Sequence, residues 1–146
     1  MIMPNFKLII SKQREDSKNG LNQQLQFLGK SLGLFSDRDK DNSCFRVFIE
    51  LIQFSRSNIP VSSDQLAYKT NLSRGTIIHH IHKLAESGLV IQVDNKYILR
   101  VARLSKLIKE IKKDIERILK DVELVAEKID ETLGVDNYKD LYNVHK

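Results

Sequence analysis

The chain has 146 residues, enough for one domain of ordinary size with an appended element. Hydrophobic residues make up 41% and charged residues 29%, which permits a packed core and excludes a chain disordered throughout. The net charge of +5 suits a polyanionic partner, no run of about eighteen apolar residues is present to span a membrane, and the single cysteine, Cys44, excludes an intramolecular disulfide.

Phe6–Ile10 is a short apolar run and a candidate strand. After the turn signal Asn19-Gly20, Leu21, Leu25, Leu28, Leu32 and Phe35 recur at helical spacing, giving an amphipathic helix weakened by Gly29 and Gly33. Ser36 to Asp41 is a charged connector. A stronger helix follows, with Phe45, Phe48, Ile49, Ile52 and Leu51 on its apolar face and Asn42 or Ser43 as its cap. It ends before Asn58-Ile59-Pro60, because proline disfavours helical geometry in the residue before it.

Ser62 with Gln65 three residues on forms a capping box, which opens a short helix from Ser63 to Lys69 with Leu66 and Ala67 inward. Asn71-Leu72 makes a turn, Ser73 caps a third helix to about Ser87, and Gly88 stops it. Leu89–Val93 and Lys96–Arg100 are rich in β-branched and aromatic residues. Asp94-Asn95 between them suits a tight hairpin turn, since both residues tolerate positive φ.

Val101, Leu104, Ile108, Ile111, Ile115, Ile118, Val122, Val125 and Ile129 then alternate in spacings of three and four. That is a heptad seam, broadened by Leu107, Leu119 and Ala126 and ended by Gly134. Residues 101–133 carry eight basic and eight acidic groups, so the basic excess lies upstream of this helix. The helix therefore reads as a partner-helix element, longer than the rest of the domain can cover. Leu104, Ile108, Ile111, Ile115, Ile118, Val122, Val125 and Ile129 are its dimerisation residues in a homodimer. Packing on the helix of residues 21–35 is the intramolecular alternative.

Helix, short helix, turn, helix and hairpin, in that order, make a winged helix-turn-helix. A helix that reads DNA must enter a groove about 12 Å wide at a fixed angle, and two helices behind it set that angle. The run Leu72-Ser73-Arg74-Gly75-Thr76-Ile77, with Leu84-Ala85-Glu86-Ser87-Gly88-Leu89-Val90, resembles the recognition helix and the start of the wing in ArsR-like and MarR-like regulators of bacteria and archaea. The resemblance covers about residues 42–100. It implies that Ser73, Arg74, Gly75, Thr76, His79 and His80 face the groove of double-stranded DNA, with Lys83 nearer the phosphates. Ile77, Ile81 and Leu84 would then face the core. Lys96 and Arg100 are the candidate phosphate contacts of the wing. A cation at Arg74, in the first turn, opposes the helix dipole, which favours a role on DNA.

His79 and His82 lie one turn apart, but no cysteine shares the helix with them, and Cys44 reads as a small buried apolar residue. No metal and no cofactor is expected. Phosphate-binding glycine loops, nucleophile elbows and paired CxxC motifs are missing from the sequence, so no enzyme is expected. The N-terminus lacks a signal-peptide layout and the lone cysteine fits a reducing interior, which together suggest the cytoplasm.

The expected architecture is mainly α with a small β-hairpin. An N-terminal extension with an amphipathic helix spans 1–41, the winged helix-turn-helix 42–100, the heptad helix 101–134 and a tail 135–146. The expected function is a homodimeric, sequence-specific DNA-binding transcription regulator. The alternative is a winged helix used for protein contacts within a larger transcription, replication or sorting assembly.

Overall fold

The computed structural model describes residues 6–14, 20–35 and 42–135. The elements are α1 (Leu21–Ser31), α2 (Ser43–Arg56), α3 (Ser63–Thr70), α4 (Arg74–Glu86), β1 (Val90–Val93), β2 (Lys96–Leu99) and α5 (Leu104–Val135). The chain divides into two compact units, Met1–Ile108 and Lys109–Lys146. The charged connector at 36–41 and the tail after 135 lie outside the described residues.

The first unit is a winged helix. α2, α3 and α4 pack on one another, and β1 and β2 form an antiparallel hairpin in the register Val90↔Leu99 to Val93↔Lys96. Its core is Val47, Phe48 and Leu51 of α2, Leu66 of α3, Ile77, Ile81 and Leu84 of α4, with Leu89, Val90, Ile98 and Leu99 at the base of the hairpin. Burial of each such large side chain contributes roughly 1.5–3 kcal/mol.

The inward face of α2 differs from the expected one. Cys44, Val47, Phe48, Leu51 and Ser55 are buried, whereas Phe45, Ile49 and Ile52 are only half-buried. Phe45, Phe48, Ile49 and Ile52 are among the largest apolar side chains of α2 and mark its stripe by size alone. The true face also holds a cysteine and two serines, which polarity alone does not mark as inward. Ser55 is placed there by a bond, since its Oγ accepts from Leu99 N–H at 3.0 Å and so ties α2 to β2.

A third piece of sheet escaped the sequence. Val61, just after Pro60, bridges Tyr97 through Val61 N–H to Tyr97 O (2.8 Å) and Tyr97 N–H to Val61 O (2.7 Å). One residue is too short to show a period-two pattern. The reverse error occurred at Phe6–Ile10, which is not a strand. This arm bonds to helix ends instead, with Lys7 N–H to Glu86 O at 2.7 Å and, one residue past the run, Ser11 N–H to Ser31 O at 2.9 Å. Helix ends leave carbonyls without intrahelical donors, and this arm fills two of them.

The helix boundaries follow from local chemistry. The capping box is formed on both sides, Gln65 N–H to Ser62 Oγ (3.1 Å) and Ser62 N–H to Gln65 Oε1 (2.9 Å). α1, α2 and α4 close in one way, each with a left-handed residue after the cap: Gly33 (φ 66°), Asn58 (φ 55°) and Gly88 (φ 79°). In α2, Asn58 N–H reaches Ser55 O and Ile59 N–H reaches Phe54 O, so the backbone stops this helix two residues before Pro60 takes effect. Asn42 holds the N-cap position of α2 with no side-chain cap bond. Ser43, its alternative, is used elsewhere, as described below.

α5 is a single helix of 32 residues that runs through the unit boundary. Val101 lies in a bend before it and is not part of its seam. Gly134 does not end it, because Val135 is still helical. No helix among the described residues is long and apolar enough to cross a membrane.

Candidate nucleic-acid interface

Ser73 begins the site. Its Oγ accepts from Thr76 N–H (3.1 Å) and lies 2.8 Å from Thr76 Oγ1, so the cap hydroxyl and the threonine hydroxyl engage each other at the start of α4. This fixes the first turn, whose free N–H groups and positive dipole end face outward and suit an anion.

Arg74 projects from that turn with its side chain 73% exposed. Its Nε lies 3.9 Å from Asp64 Oδ1, in an equally exposed first turn of α3. Such a pair is screened by solvent and holds the guanidinium by less than about 1 kcal/mol.

Gly75, His79 and Lys83 follow at intervals of four and form one exposed row along α4. A Cβ built at Gly75 would meet nothing within 4 Å. Glycine inside a helix costs roughly 0.5–1 kcal/mol relative to alanine. No packing among the described residues requires it here, and the space it leaves opens outward.

His80 departs from expectation. It is half-buried, and its Nε2 lies 2.8 Å from Ser43 Oγ at the start of α2. The ring braces α4 against α2 and does not share the exposed row. Residues 79 and 80 differ by about 100° around a helix, so the two histidines do not share one face. Only the packing of α2 decides which of the two turns inward.

On the wing, Lys96 is exposed and pairs with Val93 beside the two-residue turn. Of the turn residues, Asp94 takes positive φ (55°). Arg100, the other expected wing contact, is half-buried; it lies past β2, its N–H donates to Leu89 O (2.9 Å), and its Nη2 is buried. At roughly 3.3 Å per residue it stands about 13 Å along the strand from Lys96, at the base of the wing.

Tyr68 was missed. At 88% it is the most exposed of the large hydrophobic side chains among the described residues. It stands one turn after Asp64 on α3, whose buried positions are Leu66 and Thr70. A helical wheel of α3 would have shown a tyrosine on the outer face. It shares that face with the residue that reaches Arg74, beside the N-terminus of α4.

The expected seam residues on α5 divide by exposure. Ile108 and Ile115 are half-buried and Ile111 is buried, while Ile118, Val122, Val125 and Ile129 are exposed, as are Leu119 and Leu124 beside them. Leu104 is half-buried at the first turn. Among the described residues no group of three or more His, Cys, Asp or Glu side chains could hold a metal ion.

Comparison with known proteins returns one family. Residues 57–92 match the family model described as bacterial regulatory protein, arsR family. The matched stretch runs from the end of α2 through α3, the turn and α4 into β1. No curated protein and no solved structure matches the chain. Over residues 57–92 the chain thus matches the helix-turn-helix of the ArsR family, which supports an ArsR-like helix-turn-helix regulator with a winged-helix fold.

Proposed function

We propose that the protein binds double-stranded DNA sequence-specifically as a homodimer, with α4 in the major groove and the hairpin along the backbone. Residues 42–100 do the binding and residues 101–134 the pairing. The observation that carries this reading is the exposed row of Gly75, His79 and Lys83 behind the Ser73 cap, with Arg74 at its leading end. A helix needs no glycine at an outward position for its own sake, but a groove wall that approaches the backbone does. Ser73, Thr76 and Tyr68 flank this row, and Lys96 reaches the phosphates from the wing.

The exposed stripe from Ile118 to Ile129 supports pairing, since apolar side chains repeated every three and four residues gain nothing in water. Selection of bound sequences from random duplexes, followed by titration at several salt concentrations, tests the reading. Recovery of a two-fold symmetric site is the expected result. Failure to bind any duplex at low salt would favour a winged helix that contacts protein.

A further inference from the structure

The hairpin has one covered edge and one open edge. Val61 pairs with Tyr97 and covers the outer side of β2. No strand lies beyond β1 among the described residues.

The direction of the backbone groups of β1 follows from the bonds that β2 makes elsewhere. Tyr97 N–H and O both go to Val61, and Leu99 N–H goes to Ser55 Oγ. The facing pairs Gln92↔Tyr97 and Val90↔Leu99 therefore exchange no ladder bonds. Gln92 and Val90 turn their own N–H and C=O groups away from β2, toward the open edge. The two sets stand about 7 Å apart, the two-residue repeat of an extended chain. Gln92 is exposed on this edge.

The edge lacks the usual guards. Val90-Ile91-Gln92-Val93 holds no charge and no proline, its register has no bulge, and Ile91 and Val93 are 40% and 42% exposed. It opens on a cleft of about 520 Å³ whose other wall is α4, with Ile81, Ala85 and Glu86. No lysine or arginine lines this cleft, although the chain carries a net charge of +5, so a phosphate or carboxylate finds no permanent counter-charge there. Glu86 has no ion pair among the described residues, and it stands at the carbonyl end of α4, which favours a cation. Ile81 and Ala85 lie more than about 100° around α4 from the row of Gly75, His79 and Lys83.

We propose that an extended, basic segment of a partner protein adds to β1 in this cleft as a further strand. Gln92 exchanges both backbone bonds with it. Alternate apolar side chains of the segment pack on Ile81 and Ala85, and a lysine or arginine meets Glu86.

The test selects binders to the full chain from a display library of random nine-residue segments. The most enriched one is synthesised as a capped peptide and titrated by calorimetry. Enriched segments should alternate apolar and polar residues and carry one lysine or arginine, and the peptide should saturate. N-methylation of every second residue should weaken binding at least tenfold in one parity and little in the other, because only one set of its N–H groups faces β1. Gln92→Pro removes the outward N–H but none of the hairpin's own bonds, and should also weaken binding at least tenfold. Glu86→Gln should weaken it about threefold. Absence of enrichment, or an equal effect of the two parities, overturns the added strand. The parity comparison uses the wild type, so it decides the matter even if Gln92→Pro misfolds. A wild type that forms larger particles than Gln92→Pro in the absence of peptide would assign the edge to a second copy and overturn the proposal.

Discussion

Arg74 Nε lies 3.9 Å from Asp64 Oδ1, so the leading end of α4 is joined to the first turn of α3 by one exposed ion pair. On DNA the guanidinium would leave this weak partner for a base edge or a phosphate. Asp64→Asn should raise affinity for every duplex by ~1 kcal/mol or less, through loss of the competing charge. Arg74→Ala should lower affinity for the selected site by roughly 1–3 kcal/mol more than for random duplex, because a bidentate contact to guanine discriminates. Titrations of both variants against both duplexes check this. An equal loss on the two duplexes would make Arg74 a phosphate contact.

Lys96 and Arg100 should behave differently, although both are cations of the wing region. Lys96→Ala should weaken specific and random DNA alike and reduce the salt slope by about 0.9, the value for one phosphate. Arg100→Ala should leave the slope unchanged and lower the melting temperature, because its side chain is packed at the hairpin base. A slope that moved with Arg100 would restore it to the interface.

Gly75→Ala gives two readouts of opposite sign. The free protein should gain roughly 0.5–1 kcal/mol of stability, since the added methyl meets no neighbour and the helix loses a flexible residue. DNA affinity should fall, because the methyl would stand between the helix and the groove wall. Chemical denaturation and duplex titration of the same variant check the pair. A stabilised protein with full affinity would refute the close approach.

Ser43→Ala removes the partner at 2.8 Å from His80 Nε2. Loss of one part-buried hydrogen bond should cost about 1 kcal/mol in unfolding free energy. The salt slope of DNA binding should not change, since His80 braces α4 from behind. A changed slope with unchanged stability would place His80 back on the DNA face.

Val122→Asp and Val125→Asp test pairing at positions exposed in the single chain. In a monomer each aspartate is solvated, so helix content should be preserved. In a paired seam each would bury a charge, at a cost of several kcal/mol. Light scattering should give a dimer for the wild type and monomers for both variants. A monomeric wild type at micromolar concentration would refute the seam.

Where a residue's own chemistry settles the local backbone, the sequence was sufficient. Ser62 and Gln65 specify a capping box, Ser73 a cap, Gly88 a left-handed stop, and Asp94-Asn95 a tight turn, all through groups within a few residues of one another. The long helix was likewise legible, since a repeat of three and four over so many residues has one periodic solution. These elements in order gave the winged helix, and with it the ArsR-like segment.

What the sequence left open were choices between neighbours that only distant parts of the chain could make. His79 and His80 are chemically alike, and Ser43, 37 residues from His80, turns one of them inward. Val61 is a strand residue only because Tyr97 offers it both backbone bonds. The arm at Phe6–Ile10 has a strand's composition but lies beside helix ends, so its donors go to the open carbonyls there. Arg100 reads as a wing cation until the hairpin register places it at the base. Local propensity acts within one turn, whereas exposure depends on which surfaces meet, and the surfaces are brought together by the packing of α2, α3 and the hairpin around α4.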